Sequence, residues 1–372
     1  MSLTTVQQGM IGTQSSIPMT YGNLGAGDAS IMKNRIINGA MVIDQRNAGA
    51  SVTPTYNSYG LDRWSFPVSQ NSKLTAQQSS TAPAGFTNSM LITSSSAYSV
   101  GASDYFALQQ KIEGYNVSDL GFGTANAKTI TVSFWVQCSL TGTFGGVIGN
   151  NNGSRNYPFT YTISSANTWE QKSVTIAGDT SGTWLTTNGV GLIVFFGLGA
   201  GSSWSGTAGA WTGTQAFSAT GATSVVGTNG ATFYITGVQL EVGSSATGFE
   251  YRQYGTELAL CQRYYQQLAK GTGLSLIGTS SYFSSTRADG VMFFPVSLRT
   301  APTFTIVTGA GYYRTYLAGS TYTAPTLYVN GYTATYSGVY FYNNTDMSGL
   351  SNGAGWWETA NGNSFIAVNA EL

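Results

Sequence analysis

The sequence predicts an all-β protein with two successive β-sandwiches, and three observations lead to this prediction. Several runs alternate apolar and polar residues with the two-residue period of a half-buried strand. Clusters of Gly, Asn and Ser separate these runs, and Gly alone occurs 48 times in 372 residues. Aromatic residues make up 13% of the chain and charged residues only 8%, against roughly 25% in ordinary globular proteins. Such a chain can bury a core and keep an uncharged polar surface.

The first sandwich is predicted to be a jelly roll at residues 33–254. Its first strand is expected from Ala40 to Gln45, between two turn signals in NRIINGAMVIDQRNAG. The strongest alternation follows in KTITVSFWVQCSL, which places five apolar side chains on one face: Ile130, Val132, Phe134, Val136 and Cys138. Two further strands are predicted from the same period at residues 159–165 and 172–178.

Two later runs carry special features. GVGLIVFFGLG at 189–199 is apolar on both faces, which predicts a central strand covered on two sides. ATFYITGVQLEVG shifts its alternation by one residue at Thr236-Gly237, which predicts a β-bulge. The intervening segment 199–231 is of low complexity and carries Trp204 and Trp211. A loop of this length within a domain is either mobile or functional.

A helical connector is predicted at residues 255–270, with Thr256 as cap and Gly271 as terminator. The helix is shorter in the alternative interpretation, because QRYYQQL can also form a strand. Residues 271–372 are predicted to form the second, C-terminal β-domain. Its candidate strands are VMFFPVSL, TFTIVTG, TLYVNG, GVYFYNN and SFIAVNAEL.

The composition excludes several classes of function. Lys+Arg and Asp+Glu both number 15, so no net charge would steer the protein to nucleic acid. The absence of His excludes Ser-His-Asp catalysis and His-containing metal sites. Cys138 and Cys261 are predicted to be free, buried thiols, because a disulfide framework would use more cysteines.

The N-terminal sequence has neither the basic nor the apolar region of a signal peptide, and no run of about 18 apolar residues is present. We therefore expect synthesis in a host cytoplasm and no membrane insertion. Residues 1–32 are polar, Gly-rich and without periodicity, which predicts an arm or linker.

Six motifs occur in an order that resembles a known module. They are NRIINGAMVIDQRNAG, YGLDRWSF, TVSFWVQCSLTGTF, NTWEQKSVTIAGDTSGTW, ITGVQLEVGSSATGFEYR and ELALCQRYYQ. The set spans roughly residues 33–266 and resembles a module of bacteriophage tail fibre and receptor-binding proteins, similar in fold to carbohydrate-binding jelly rolls. The resemblance implies a homotrimer on the virion, held to other virion proteins through residues 1–32.

The resemblance and the composition together favour recognition of a host surface polysaccharide or lipopolysaccharide. Sugar binding needs flat aromatic faces and short polar side chains, and little net charge. The candidate glycan-binding residues are Trp204, Trp211, Tyr312, Tyr313, Tyr316, Trp356 and Trp357. Adjacent strand residues face opposite ways, so one of Trp356 and Trp357 is expected to face solvent or a neighbouring subunit. The structural interpretation is that these side chains pack against loops or across a trimer interface.

Two alternatives remain open at this point. The first is a decorating fibre of the head or tail without a specific receptor. The second is a polysaccharide depolymerase, for which two carboxylates are needed. The available carboxylates are Asp104, Glu113, Asp119, Glu170, Asp179, Asp289, Asp346 and Glu358, and no motif brings two of them together. We therefore expect no catalysis.

The remaining charged groups are predicted to be structural. No cofactor is expected, although the turn NNTDMSG at 343–349 has oxygen ligands of the kind that calcium prefers. The charged pair Asp62-Arg63 and the run Asp44-Gln45-Arg46 are predicted to pair at the sandwich edge, with Glu241 or Glu250 as partners.

Overall fold

The computed structural model describes residues 32–271, 275–329, 337–344 and 347–372. The predicted N-terminal arm therefore lies outside the described residues, apart from Met32. The described chain is all-β, as predicted, with one α-helix. No helix in these ranges has the length and apolar character needed to cross a membrane.

The first sandwich consists of two antiparallel sheets with a shared apolar core. The six-stranded sheet has the order β1 (Ser58–Leu61), β2 (Trp64–Phe66), β5 (Tyr105–Glu113), β10 (Val190–Ala200), β7 (Gly142–Gly149) and β8 (Asn156–Ile163). The five-stranded sheet has the order β3 (Leu74–Ser79), β4 (Ser89–Ser94), β13 (Thr232–Val242), β6 (Ile130–Cys138) and β9 (Glu170–Ile176). Two short 3-10 helices follow β5, at Gly114–Asn116 and Ser118–Leu120.

Strands β6 and β13 confirm the periodicity arguments. The five predicted inward residues of β6 are all fully buried, because alternate side chains of a strand share one face. The register between β13 and β6 shifts between Thr236 and Gln239, which confirms the bulge. Gly237 lies at the shift with φ +61°, a conformation that favours glycine. Val238 and Leu240 thereby return to the core, whereas Val242 is exposed.

Strand β10 confirms the prediction of a central strand covered on both faces. It lies between β5 and β7, and its residues are buried apart from the last. The outward-facing Phe195 packs against Phe217 of the long segment, with ring centroids 5.2 Å apart. The same segment forms a 3-10 helix at Ser202–Trp204 and two short parallel strands, β11 (Ser205–Gly206) and β12 (Ser218–Ala219). It is therefore a third layer on the sandwich.

The predicted first strand from Ala40 to Gln45 is wrong, since these residues form turns and irregular backbone. Met41 and Ile43 are buried as the apolar pattern suggests, but side chains satisfy the backbone instead of a neighbouring strand. The Asn38 side chain accepts from the Ile43 N–H at 3.0 Å and donates to the Ile43 carbonyl at 2.8 Å. An asparagine side chain thus replaces the ladder that the apolar run was expected to join.

The connector is a helix only in its first half. Helix α1 covers Tyr254–Gln262, and its N-cap is Gln253, not the predicted Thr256. The following residues form β14 (Tyr265–Lys270), which pairs with a strand near the chain's end. The shorter-helix alternative is therefore the correct one. Cys261 of the helix and Cys138 of β6 are both free and buried, as predicted.

The second sandwich also has two antiparallel sheets. The three-stranded sheet has the order β14, β23 (Phe365–Asn369) and β17 (Thr303–Ile306). The seven-stranded sheet has the order β19 (Ser320–Ala324), β18 (Tyr313–Leu317), β22 (Ala354–Thr359), β15 (Leu276–Ser284), β16 (Arg287–Phe293), β21 (Gly338–Asn343) and β20 (Tyr328–Val329). Side chains of both sheets, such as Trp357 and Ile366, form one apolar cluster between them.

Ion pairs join the two sandwiches. Glu371, just after β23, accepts a hydrogen bond from Arg46 at 2.8 Å and also pairs with Arg63. The predicted partners Glu241 and Glu250 were therefore wrong for both arginines. Glu113 of the first sandwich pairs with Arg263 at 2.6 Å. The junction thus contains two buried carboxylates, each paired with arginine from the other side of the junction.

Candidate functional site

The outer face of the seven-stranded sheet carries a row of side chains that crosses the strands. We call it the aromatic row, and it comprises Thr321, Tyr316, Trp356, Thr279, Val291 and Tyr340. Tyr316 pairs in register with Thr321 and with Trp356, Trp356 pairs with Thr279, and Val291 pairs with Tyr340. The Val291 N–H donates to Thr279 Oγ1 at 3.1 Å, which joins the two halves of the row.

Trp356 and Tyr316 form the most prominent part of this row. Their rings stack with centroids 4.8 Å apart and an interplanar angle of 29°. Trp356 is 45% exposed, whereas its neighbour Trp357 is fully buried. The expectation that one tryptophan of the pair faces outward is therefore confirmed. The stack presents a rigid aromatic surface at the middle of β18 and β22.

An ion pair lies beside the stack. Arg314 pairs with Glu358, its cross-strand neighbour on β22. The indole N–H of Trp356 donates to Glu358 Oε2 at 3.2 Å. The carboxylate therefore fixes both the guanidinium and the indole, and the pair adds no net charge next to the rings.

The far end of the row has a second aromatic group around Arg287. The Arg287 guanidinium lies 4.2 Å from the Phe283 ring centroid and 4.3 Å from that of Tyr342. It donates to Asp289 at 2.7 Å and to the Tyr340 hydroxyl at 2.6 Å. The hydrogen bond to Asp289 raises the pKa of Arg287, and desolvation raises the pKa of Tyr340. These contacts hold Tyr340 in one position.

Two predicted glycan-binding residues are buried and do not reach the surface. Trp357 and Tyr313 point into the core of the second sandwich because they alternate with Trp356 and with the partly exposed Arg314. Burial raises the pKa of Tyr313 to about 12, and its hydroxyl donates to the Val307 carbonyl at 2.6 Å. Tyr312 is half-buried and packs against the same core. Of the C-terminal candidates, Trp356 is exposed and Tyr316 is half-buried in a stack against it.

The two loop tryptophans are half-buried anchors. Trp204 contacts Tyr105 and Phe217 and donates its indole N–H to the Ser103 carbonyl at 2.9 Å. Trp211 likewise donates to the Ala177 carbonyl at 2.8 Å. It also packs edge-to-face against Trp184, at 5.6 Å. These contacts fasten the long segment to the sheet, and the exposed edges of the two indoles stay predicted sugar contacts.

The candidate carboxylates have structural partners. Six of them pair with a basic residue: Glu113 with Arg263, Asp119 with Arg35, Glu170 with Lys172, Asp179 with Arg155, Asp289 with Arg287, and Glu358 with Arg314. Asp104 accepts from the hydroxyls of Tyr98 and Ser69. Asp346 lies outside the described residues, as does part of the turn proposed for calcium. The described residues contain no group of three or more Cys, Asp or Glu that could hold a metal ion.

The sequence argument missed Thr279, Val291, Arg314 and Tyr340 as members of this face. A signal was present, because Tyr340 and Tyr342 alternate in GVYFYNN and Tyr316 alternates with Arg314. Periodicity shows which residues of one strand share a face, but it does not give the neighbouring strand. Only the order β19, β18, β22, β15, β16 and β21 brings the row together.

Comparisons with known proteins do not give this chain a family. No protein-family model matches it, and no curated protein matches it. Among solved structures, the enzymatically active domain of tailspike protein 4 from bacteriophage CBA120 is 10% identical, with a TM-score of 0.31. That match covers 57% of this chain and 22% of the tailspike chain, so it spans only about a fifth of that structure.

Two further solved structures are also similar. A family 11 carbohydrate-binding module from Clostridium thermocellum is 12% identical over 53% of this chain and 98% of its own, with a TM-score of 0.29. A putative sugar binding protein from Bacteroides thetaiotaomicron is 13% identical over 56% of this chain and 100% of its own, with a TM-score of 0.32. All three TM-scores are low, so these structures are not evidence of what this chain does. Its function is therefore inferred from its own residues.

The geometry of the aromatic row suits a flat ligand with hydroxyl groups. The stacked rings offer an apolar face, and Thr279 and Thr321 are exposed hydroxyls on either side of them. The partly exposed Arg314 adds a donor within the same patch, whereas Glu358 is buried and its two oxygens accept from Arg314 and from the Trp356 indole. The arrangement therefore combines an apolar aromatic surface with neutral hydroxyl groups.

Proposed function

We propose that this chain is a non-catalytic glycan-binding protein, acting as a tail fibre or receptor-binding protein of a phage. The observation that carries the proposal is the exposed stack of Trp356 on Tyr316. A sugar ring has an apolar face of C–H groups and an edge of hydroxyls. The face can lie on the indole, and the hydroxyls can meet the threonines beside it.

Low charge supports recognition of a sugar over that of nucleic acid. The net charge is +0, and both arginines on the face have an acidic partner. Nucleic-acid binding depends on unpaired Lys and Arg for the phosphates. The face instead combines aromatic rings with neutral hydroxyls, which fits an uncharged polar ligand.

The carboxylates favour binding without catalysis. A glycosidase needs one carboxyl with a raised pKa and a second one at a fixed distance from it. Glu358, on the proposed face, is 3% exposed and paired with Arg314. Elsewhere the hydrogen bond from Lys172 lowers the pKa of Glu170, which is the opposite of what a general acid requires. A polysaccharide depolymerase therefore has less support than a binding protein.

The assignment to a phage tail rests on the six ordered motifs and not on the structural comparisons. In this assignment the protein is a homotrimer on the virion, and residues 1–32 attach it to other virion proteins. Three weak sites on one fibre, and several fibres on one particle, would bind a cell surface by avidity. An individual site can then be weak.

The proposal is tested by measuring binding of the full-length protein to an array of bacterial surface glycans. Trp356→Ala is expected to weaken binding at least tenfold, which corresponds to about 1.4 kcal/mol. Trp211→Ala is the parallel test of the long segment. Tyr56→Ala serves as the matched control, because Tyr56 is an exposed aromatic residue (64%) on the other sandwich. Unchanged binding by Trp356→Ala would remove the proposed site.

Two further measurements separate the alternatives. Release of reducing sugar from host envelope would favour the depolymerase and contradict the proposal. The position of the subunit in a virion reconstruction decides between tail and head. Density on the head, without glycan binding, would favour the decorating fibre.

A further inference from the structure

We infer that the ligand of the aromatic row is a linear, uncharged glycan chain that crosses the strands, with Trp356 as its first contact and Tyr340 as its second. This inference rests on the proposed glycan-binding function. It goes beyond that function because it gives the ligand's shape, charge and direction on the sheet.

The separation of the two aromatic platforms requires an oligomer. Trp356 lies on β22 and Tyr340 on β21, and strands β15 and β16 lie between them. Three steps between neighbouring strands amount to about 14 Å. A single sugar ring is much shorter than this. A ligand that touches both platforms must therefore contain several linked rings.

The surface between the platforms is open. Thr279 and Val291 occupy the row there, and both are exposed. Their side chains are short, and the Thr279 hydroxyl is held by the Val291 N–H. No large side chain of the row stands between Trp356 and Tyr340. A chain can therefore lie along the row instead of ending in a closed pocket.

The second platform is fixed before any ligand binds. Arg287 donates to the Tyr340 hydroxyl and is itself held between two rings and Asp289. Tyr340 also lies near Tyr342, with centroids 6.3 Å apart. Little rotamer freedom is lost on binding when a side chain is already held in this way. Tyr340 is therefore already ordered for binding, as expected of a residue on which a ligand stacks.

The charges along the row select against an acidic polymer. Arg314 is neutralised by Glu358 at one end, and Arg287 by Asp289 at the other. A polyanion gains affinity from cations that lack a partner. Its carboxylates would also lie close to Glu358 and Asp289. An uncharged glycan needs no unpaired cation and is not repelled by these two carboxylates.

The test uses a panel of bacterial surface oligosaccharides, neutral and uronic-acid-bearing, from disaccharides to octasaccharides. The full-length protein is expected to bind neutral hexasaccharides at least tenfold more tightly than neutral disaccharides, and more tightly than acidic ones of equal length. Tyr340→Ala should remove most of the gain from length and leave disaccharide binding intact. Tyr340→Phe should retain part of the gain, because it keeps the ring but loses the hydrogen bond from Arg287 that holds it, and Tyr56→Ala should change nothing.

Several results would overturn the inference. They are equal affinity for short and long glycans, a preference for acidic glycans, or a gain from length that survives in Tyr340→Ala. A fourth is a Tyr340→Ala protein that loses self-association while its glycan binding is unchanged, because this face would then be a contact between copies of the chain. If the unmodified protein binds no glycan on the panel, the proposed function fails and the inference with it. Unfolding curves of each variant identify any that does not fold.

Discussion

The outer face of the large sheet is covered in the first sandwich and exposed in the second. In the first sandwich the chain's own long segment covers β10, so that Phe195 and Phe217 are only 5% and 7% exposed. In the second sandwich Trp356 and Val291 lie on the outer face at 45% and 37% exposed. The difference follows from residue type. Successive large apolar residues need cover, whereas aromatic rings mixed with threonine tolerate contact with water.

This comparison distinguishes stability from binding. An aromatic residue beneath a cover contributes mainly to the free energy of unfolding, because it leaves water completely. An aromatic residue on an open face contributes little to folding and remains available to a ligand. The adjacent residues Trp356 and Trp357 represent the two cases on a single strand.

The largest expected effect is on these two adjacent tryptophans. Trp357→Ala should lower the free energy of unfolding by about 3–5 kcal/mol, because it leaves a cavity in the second core. Trp356→Ala should cost only about 1 kcal/mol, mainly the stacking on Tyr316. Chemical denaturation followed by circular dichroism measures both. An equal loss of unfolding free energy in the two variants would show that the covered and the open tryptophan contribute alike to stability.

A smaller effect is expected from removing the cover of the first sandwich. Phe217→Ala should cost about 3 kcal/mol, since Phe217 fills the space above Phe195 and Tyr105. It should also increase the binding of a hydrophobic dye. Phe283→Ala is the matched control on the open face, because Phe283 is 61% exposed, and its cost should stay within about 1 kcal/mol. A Phe217 variant as stable as the control would mean that the long segment is not a structural layer.

The smallest effect concerns the junction between the two regions. Burial raises the pKa of Asp62 from 3.8 to about 6, so the folded protein binds this proton more tightly than the unfolded chain does. The stabilisation from protonated Asp62 is complete below about pH 4 and is lost as the pH rises to about 6. Asp62→Asn should remove this contribution.

The measurement is the difference in unfolding free energy between the unmodified protein and Asp62→Asn at several pH values. The difference should change across the window between the two pKa values and be constant above it. A difference that does not depend on pH would show that Asp62 is no more basic in the folded protein than in the unfolded chain.

Part of the first sandwich could be predicted from the sequence, namely strands β6, β8, β9, β10 and β13. Strands β6 and β10 have clear patterns of period two or of continuous apolar residues, and the glycine at the bulge is visible as a shift in phase. Strands β1–β5 and β7 were not predicted, and neither were β15, β18 and β19 of the second sandwich. Glycine, serine and threonine weaken the alternation in some of these strands, as in GTFGGVIG of β7 and LIGTSSYFS of β15. The apolar run at 40–45 was wrongly predicted as a strand, since the backbone contacts of Asn38 cannot be foreseen from periodicity.

The candidate site could be predicted only in part. The exposed Trp356 follows from alternation, and Tyr316 was on the predicted list. The partner of Arg63 was not found, because Glu371 lies 308 residues further along the chain. Tyr340 likewise becomes part of the site through strand order, which depends on long-range pairing. Local pattern therefore determines which way a residue faces, whereas the tertiary fold determines its neighbours.

The ion pair between Arg63 and Glu371 has a consequence for folding during synthesis. In the complete fold the Arg63 side chain is 1% exposed. Two of the groups against it come from after the first sandwich: the Tyr264 ring, 3.6 Å from the guanidinium, and the carboxylate of Glu371, 308 residues further along the chain. Until both have left the ribosome Arg63 lacks these contacts, and we expect the nascent first sandwich to be less stable than the same sandwich in the finished chain.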